Sequence, residues 1–403
     1  MSSPRLQITP GMRRFLDYPK FRRGATRLLV LATDYFFDQS WLRAAERLGW
    51  QARSVHSVMV GEMTRDDAAN LFQALGEFQP DFILTSNYAG MDIGGMFARF
   101  FEDARIPYVS WFTDTPRMIL YGREVHCSHY SVAATWERAY IPHFKALGFD
   151  HVYYMPLATD PEIFDGTPAA VFDRDLAFVG TSMIPQVDEA WAKLAQRPDV
   201  IKAIHDGIDS GRINRERFAD GMETLLDAVL WTSLDSSQRR NAELAVVYEA
   251  TRRQRADMVR RLLPLGVRVR GDPDWRSVTP MSDGPVGYHT DLAAFYRGTA
   301  INLNTTSLQM KWAVNQRVFD CPAAGGFLIT DWQADLEELL EPETEVVTYA
   351  SLDELEEKVR YFLRHPAERM AIARAARRRV HAHHTHVHRL ASLEIYLKKR
   401  YEE

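Results

Sequence analysis

The feature that most constrains this chain is an alternation. Short apolar runs, Leu28-Leu-Val-Leu-Ala32, Phe82-Ile-Leu-Thr85, Tyr108-Val-Ser-Trp-Phe112, Ser131-Val-Ala-Ala-Thr135 and His151-Val-Tyr-Tyr154, are separated by segments with helical spacing. One such segment passes through Trp41-Leu42 and Ala44-Ala45 and ends at Gly49. Another, amphipathic, spans Ala68 to Phe78 and follows a weaker strand through Val55. Strands that take turns with helices are most simply joined by crossovers into a parallel sheet covered on both faces. The pattern therefore predicts an α/β fold with a doubly wound sheet. It resumes at Leu176-Ala-Phe-Val179, Val267-Arg-Val269, Ala300-Ile-Asn-Leu303 and Phe327-Leu-Ile329, after an extended crossing at Pro156-Leu-Ala-Thr-Asp-Pro161. A chain of 403 residues suits two such units, each large enough for its own core.

Residues 186–263 interrupt the second alternation. They are rich in Ala, Leu, Glu, Arg and Gln at helical spacing, as in Leu225-Leu226, Val229-Leu230 and Leu244. The expectation is a helical insertion, able to cap a cleft, mediate a homodimer, or decorate the surface without a chemical role. The predicted organisation is a first Rossmann-like domain over 1–160, a second over 161–380 carrying the insertion, and a helix over 381–403 that packs back on the first.

Charge and cysteine content narrow the class. The formal net charge of −5 argues against a general nucleic-acid binder, which carries a basic excess. Cys127 and Cys321 are far apart and give neither a disulfide framework nor a cysteine zinc site, which suits a reducing compartment. Pro4, Pro10, Gly11 and Arg13-Arg14 break the first twenty residues, and no run reaches the roughly 18 apolar residues of a membrane span. A cytoplasmic protein without a transmembrane segment is expected. No Walker loop occurs and no Gly-x-Gly-x-x-Gly follows the first strand, which disfavours kinase and dinucleotide-dehydrogenase chemistry.

The stretch from Lys311 to Asp331 carries the strongest chemical signal. A helix over 313–324 would place Arg317 and Asp320 on one face, with Val318, Cys321 and Ala324 toward a sheet. Gly325 and Gly326 would then end it in a left-handed turn before the apolar strand. An acid on such a helix can accept hydrogen bonds from a ribose diol, and a Gly-Gly backbone can approach a phosphate. The same Arg–Asp spacing also describes a surface ion pair.

Residues 290–389 resemble the C-terminal half of the spore-maturation CgeB-like glycosyltransferases. The resemblance is carried by Leu292-Ala-Ala-Phe-Tyr296, Ile301-Asn302-Leu303-Asn304, Arg317 to Gly326, Glu345-Val-Val-Thr-Tyr349 and His384-Thr385-His386-Val-His388-Arg389, with Asp175-Leu-Ala-Phe-Val-Gly180-Thr181 as the first strand and turn of that half. The family usually has Glu where this chain has Asp320. The resemblance implies the GT-B fold, two facing Rossmann-like domains. It also implies hexosyl transfer from a nucleotide-diphosphate-sugar donor to a hydroxyl on a glycan, protein or lipid-linked acceptor, with no cofactor and no obligatory metal.

Ligands of doubly wound domains lie at the carboxyl ends of the strands, which sorts the candidates. Gly180, Thr181 and Ser182 follow one strand and Gly271-Asp272 another. Asn302 and Asn304 lie at a strand end, and Arg317, with Lys311, can neutralise a departing diphosphate. Gly180, Thr181, Gly271, Asn304, Arg317, Asp320, Gly325 and Gly326 are thus the candidate donor-binding residues. An inverting transfer also needs a general base. Asp114, after Trp111-Phe-Thr and before Pro116, is the first candidate, with Asp34 and His126 in reserve. Asn87 and Tyr88, in Ser86-Asn-Tyr-Ala-Gly90, are candidates for the acceptor side. Each also suits a helix cap or turn. The histidines 381, 383, 384, 386 and 388 lack a helix-spaced carboxylate and point to structure rather than metal. Arg374 and Arg377–Arg379 make a basic helix face, solvated or suited to an anionic surface. Two other functions fit the same sequence: a sugar-nucleotide epimerase or hydrolase, turning over donor alone, and a non-catalytic binding or structural protein.

Overall fold

The computed structural model describes residues 6, 8–58 and 63–402; Pro4 lies outside them. The chain divides into two compact units, Met1–Pro156 with His386–Glu403, and Leu157–Thr385.

The first unit is built on six parallel strands, β1 (Arg27–Ala32), β2 (Gln51–His56), β3 (Phe82–Ser86), β4 (Tyr108–Phe112), β5 (Ser131–Thr135) and β6 (His151–Tyr154), in the order β2-β1-β3-β4-β5-β6. Leu28 of β1 stands between Ala52 of β2 and Phe82 of β3, which fixes the register at the centre of the reversal. β3, β4 and β5 are buried throughout, which is why their sequences are continuous apolar or small-residue runs. β2 lies at the sheet edge with Val55 as its one buried residue, the physical reason for its weak sequence signal. The helix Arg65–Phe78 opens with a capping box between Thr64 and Asp67.

The helix His386–Tyr401 completes this unit. Its buried residues Leu390, Leu393, Leu397 and Tyr401 recur every three or four positions, and the His386 ring packs edge-on to Phe37 and Trp111, 5.1 and 6.0 Å away. The element begins at 386 rather than 381, because the helix Pro366–His383 ends inside the second unit. There the Thr159 amide donates to the His384 carbonyl (2.9 Å), and Thr159 and Thr385 form a parallel bridge.

The second unit carries β7 (Arg174–Val179), β8 (Arg268–Arg270), β9 (Ser282–Asp283), β10 (Thr299–Leu303), β11 (Leu328–Asp331) and β12 (Val347–Tyr349), all parallel, in the order β12-β11-β10-β7-β8-β9. The reversal falls between β7 and β10, where the first three strands turn away from the last three. β9, only Ser282-Asp283, has too few residues and too little apolar character to announce itself.

Residues 186–263 are helical, in helices Ile184–Lys193, Pro198–Asp209, Arg215–Phe218, Ala228–Thr232 and Ser236–Leu262. The last of these is more than decoration. Met258, Val259 and Leu262 join Leu176, Phe178, Val269, Ile301 and Ile329 in one core, so its final turns are the crossover helix between β7 and β8. Each such buried side chain contributes about 1.5–3 kcal/mol. The expected helix over 313–324 shrinks to Arg317–Ala323. Residues Asn315 and Gln316 are held by tertiary bonds instead, Asn315 Nδ2 donating to Asn304 Oδ1 (2.8 Å) and Gln316 Nε2 to the Ala158 carbonyl (2.6 Å).

Candidate functional site

In the first unit the chemistry gathers at the carboxyl ends of β1, β3 and β4, around the strand-order reversal. Asp38 Oδ2 accepts the Thr33 and Tyr35 amides at 2.8 and 3.1 Å, fixing the loop after β1. Tyr35 OH lies 3.4 Å from Thr113 Oγ1 on the loop after β4. Asn87, directly after β3, accepts the Thr113 amide (2.8 Å) through Oδ1 and donates through Nδ2 to Asp114 Oδ2 (2.9 Å). The structure thus joins Asn87 to Asp114. Burial and the nearby Asp114 and Asp38 charges push the Tyr35 phenol upward, so it stays a neutral hydroxyl.

Three non-glycine residues at this end hold left-handed backbone, Asp34 (φ 60°), Asn87 (φ 48°) and Tyr88 (φ 60°). Such strain, of order 1–3 kcal/mol each, collects where a loop must present a side chain in a fixed direction. Tyr88 is not an acceptor-side residue. It is fully buried, with its ring among Tyr108 and Phe112 and its amide donating to Ser110 Oγ. His126 pairs with Glu102 at 2.6 Å instead of joining the cluster.

In the second unit the reversal between β7 and β10 is spanned by Arg317. Its guanidinium donates to the Val179 carbonyl at the end of β7, to Asn304 Oδ1 just past β10 (2.5 Å) and, at 3.5 Å, to the Leu303 carbonyl. It lies 5.0 Å from the Phe178 ring. A second guanidinium, Arg255 of the long helix, lies 6.0 Å from the same ring and donates to the carbonyl and hydroxyl of the exposed Thr181 at 2.8 and 2.9 Å. Burial, and then the Arg317 charge, lower the Arg255 pKa to about 10. Neither arginine makes an ion pair among the described residues, and the Nε of each is buried without an acceptor. The nearby Asp272 carboxylate offsets part of this, but two guanidiniums that make no ion pair among the described residues form a ready anion site.

The other expected donor residues sort differently. Asn304 is buried; its Oδ1 accepts from Arg317 and Asn315 and its Nδ2 donates to Thr330 Oγ1 (2.9 Å), so it positions Arg317. Gly180 and Gly271 serve each other: a Cβ on Gly271 would lie 2.1 Å from the Gly180 carbonyl, which also accepts from Trp275 Nε1 (2.7 Å). The Ser182 amide and hydroxyl are occupied by Asp272, at 2.5 and 2.7 Å. Gly325 has the left-handed φ of +85°, but what it approaches is the backbone of 166–168, and Gly326 lies against Cys321 and Asn302. The Gly-Gly turn thus packs closely against the 166–168 backbone, Cys321 and Asn302. Asn302 Nδ2 is spent on the Tyr296 carbonyl, and Lys311 lies 4.0 Å from Asp220.

Asp320 departs furthest from expectation. It is 1% exposed; Oδ1 accepts from Thr159 Oγ1 (2.7 Å) and Gln316 Nε2 (2.9 Å), and Oδ2 from Tyr288 OH (2.9 Å). Desolvation outweighs these donors and pushes its pKa up to about 7. Its oxygens face three protein donors, not a ribose, and it does not pair with Arg317.

Arg255 was hidden in Thr251-Arg-Arg-Gln-Arg255. Glu249 satisfies Arg252 and Arg253 at 2.7 and 2.6 Å, while Arg255 has no acid three or four positions away on its helix. That imbalance was the available signal. Arg215, from the same insertion, donates to the Thr306 carbonyl (2.8 Å) and to Asp331 Oδ2 (2.7 Å), anchoring the loops after β10 and β11. The terminal histidines are dispersed, His381 on the Ala323 carbonyl, His384 on the Leu339 carbonyl and His386 in the aromatic core of the first unit. Among the described residues no group of three His, Cys, Asp or Glu side chains could hold a metal, and no helix is long and apolar enough to cross a membrane. Arg377 and Arg379 of the basic helix face Asp165 and Glu345.

Residues 252–395 match a family model described as glycosyl transferase-like, a stretch that contains both Arg255 and Arg317. No curated protein sequence matches the chain. Among solved structures it is similar to a sucrose-phosphate synthase from Thermosynechococcus elongatus (10% identity, 93% of this chain and 99% of that one, TM-score 0.49). It is also similar to AviGT4, a glycosyltransferase involved in avilamycin A biosynthesis (12%, 94% and 98%, 0.48), and to Anabaena HepE in complex with UDP-glucose (10%, 93% and 99%, 0.48).

Proposed function

We propose that the chain is a GT-B glycosyltransferase, of the CgeB-like kind, that moves a sugar from a nucleoside-diphosphate donor to a hydroxyl acceptor. The observation that carries this is the Arg255–Arg317 pair at the strand reversal of the second unit, which makes no ion pair among the described residues and lies within the stretch that matches the glycosyl transferase-like family. As the anomeric carbon–oxygen bond breaks, its electron pair goes to the diphosphate, and the two guanidiniums offset the negative charge that develops there, as a metal ion does elsewhere. The acceptor oxygen forms the new bond to the anomeric carbon, and its proton passes to Asp114, oriented by Asn87. Donor recognition rests on Arg255, Arg317 and Thr181, with Asn304 as a positioning residue.

Calorimetric titration with UDP, GDP, dTDP, CDP and ADP, beside Arg255→Ala and Arg317→Lys, tests the donor half. One diphosphate should bind selectively, and both substitutions should weaken it at least about tenfold, a loss of about 1.4 kcal/mol. Binding indifferent to both arginines would sink the assignment. Turnover of a matching nucleotide sugar without any acceptor would favour the epimerase or hydrolase reading.

A further inference from the structure

A cavity of about 270 Å3 opens in the first unit among Asp17, Tyr18, Lys20, Arg105, Tyr130 and Tyr401. It lies at the amino ends of the strands: Arg105 precedes β4, Tyr130 precedes β5, and Tyr18 OH donates to the Pro80 carbonyl just before β3. The five residues of β4 put about 16 Å between this end and Asp114. A molecule bound here cannot be a reactant at the carboxyl end.

Two cations face the cavity. Lys20 is 7% exposed, and the Tyr18 carbonyl, at 2.9 Å, is the acceptor of its ammonium among the described residues; the ammonium also sits 3.4 Å over the Tyr18 ring. Two of its N–H bonds are left over, a costly state for a buried charge. The neighbouring Asp81 spends its oxygens on the Phe21 and Arg27 amides. Arg105 is exposed, makes no side-chain bond among the described residues, and is held at φ 52°, a backbone conformation that glycine adopts at lower cost. Asp17, exposed, is the one carboxylate in the lining. The opposite wall is aromatic, Tyr130 half-buried and stacked on Tyr401 at 5.7 Å and 23°.

We propose that this cavity binds a small organic anion with a planar ring, its phosphate or carboxylate held by Lys20 and Arg105 and its ring lying against Tyr130. The volume is below that of drug-sized sites, roughly 300–1,000 Å3, so the ligand is a single-ring molecule.

The test is calorimetry on the full chain with phenyl phosphate, benzoate, inorganic phosphate and phenol. Saturable one-to-one binding of phenyl phosphate or benzoate is expected, at least tenfold tighter than inorganic phosphate or phenol, and whichever of the two binds more tightly identifies the head group. Arg105→Ala, a change at an exposed side chain, and Lys20→Met should each weaken it at least tenfold, while Arg255→Ala should leave it unchanged. The proposal is overturned if neither aromatic anion binds by about 10 mM, if inorganic phosphate binds as tightly, or if Arg105→Ala has no effect. Loss of nucleoside-diphosphate binding in Arg255→Ala with this binding intact would separate the two sites.

Discussion

The two units solve one folding problem and arrive at opposite electrostatics. Both are parallel sheets with a strand-order reversal, and in both the loops after the strands flanking it collect the polar side chains. The first unit presents an oriented carboxylate with amide and hydroxyl neighbours, Asp114, Asn87, Thr113 and Tyr35. The second presents two guanidiniums that make no ion pair among the described residues, Arg255 and Arg317. Topology decides where a ligand can be met, and side-chain charge decides which half of a reaction is served. A base suits an acceptor hydroxyl; a cation pair suits a departing diphosphate.

The sharpest way to break this contrast is Asp114→Asn. It should lower transfer by about 10²–10⁴-fold while leaving diphosphate affinity within about twofold, read from kcat and from titration; equal losses in both would remove the division of labour. Arg255→Ala should do the reverse, weakening diphosphate binding by roughly 10- to 100-fold. Because the hydrogen bonds of Arg255 among the described residues go to the exposed Thr181, its variant should keep the wild-type melting temperature; a large drop would mean the arginine is structural.

Asp320 supplies the next test. Its pKa is raised to about 7 from an ordinary value near 4, so the native state binds a proton that the unfolded chain has released. The sign follows: this group's contribution to stability is fully present below about pH 4 and is lost as pH rises to about 7, by about 2–4 kcal/mol in all. Asp320→Asn should flatten thermal stability across that window. Parallel pH curves for variant and wild type would show that the carboxyl does not titrate there. The smallest effect is expected at Met183, where φ is 67°; Met183→Gly should raise stability by about 0.5 kcal/mol, read as a small upward shift in melting temperature.

The strands were legible because burial on both faces demands uninterrupted apolar runs, and β4 and β5 fall on the residues that the sequence suggests. β9 was not, because two polar residues at an edge carry no pattern. Asp114 could be proposed because it follows a recognisable strand, and Arg317 because it lies on a helix-spaced segment ahead of the Gly-Gly turn. Asp320 misled for a physical reason: spacing shows which helical face a carboxylate occupies, but not that Thr159 and Tyr288, 161 and 32 positions away, will close around it. Arg255 left only its missing helix-spaced acid as a trace in the sequence, since its partner Thr181 lies 74 positions back. Tyr88 shows the converse, a polar-looking turn residue drawn into an aromatic core by Tyr108 and Phe112.

The first unit is assembled from both sides of the second, and this sets a timetable for synthesis. Leu157–Thr385 is one continuous stretch and can fold as it leaves the ribosome, whereas the first sheet waits for His386–Tyr401, which is translated later. Until that helix arrives, Phe37 and Trp111 lack the His386 cover, and the surface left open is the kind that chaperones recognise. The protein's vulnerable moment during manufacture therefore belongs to the half that is made first.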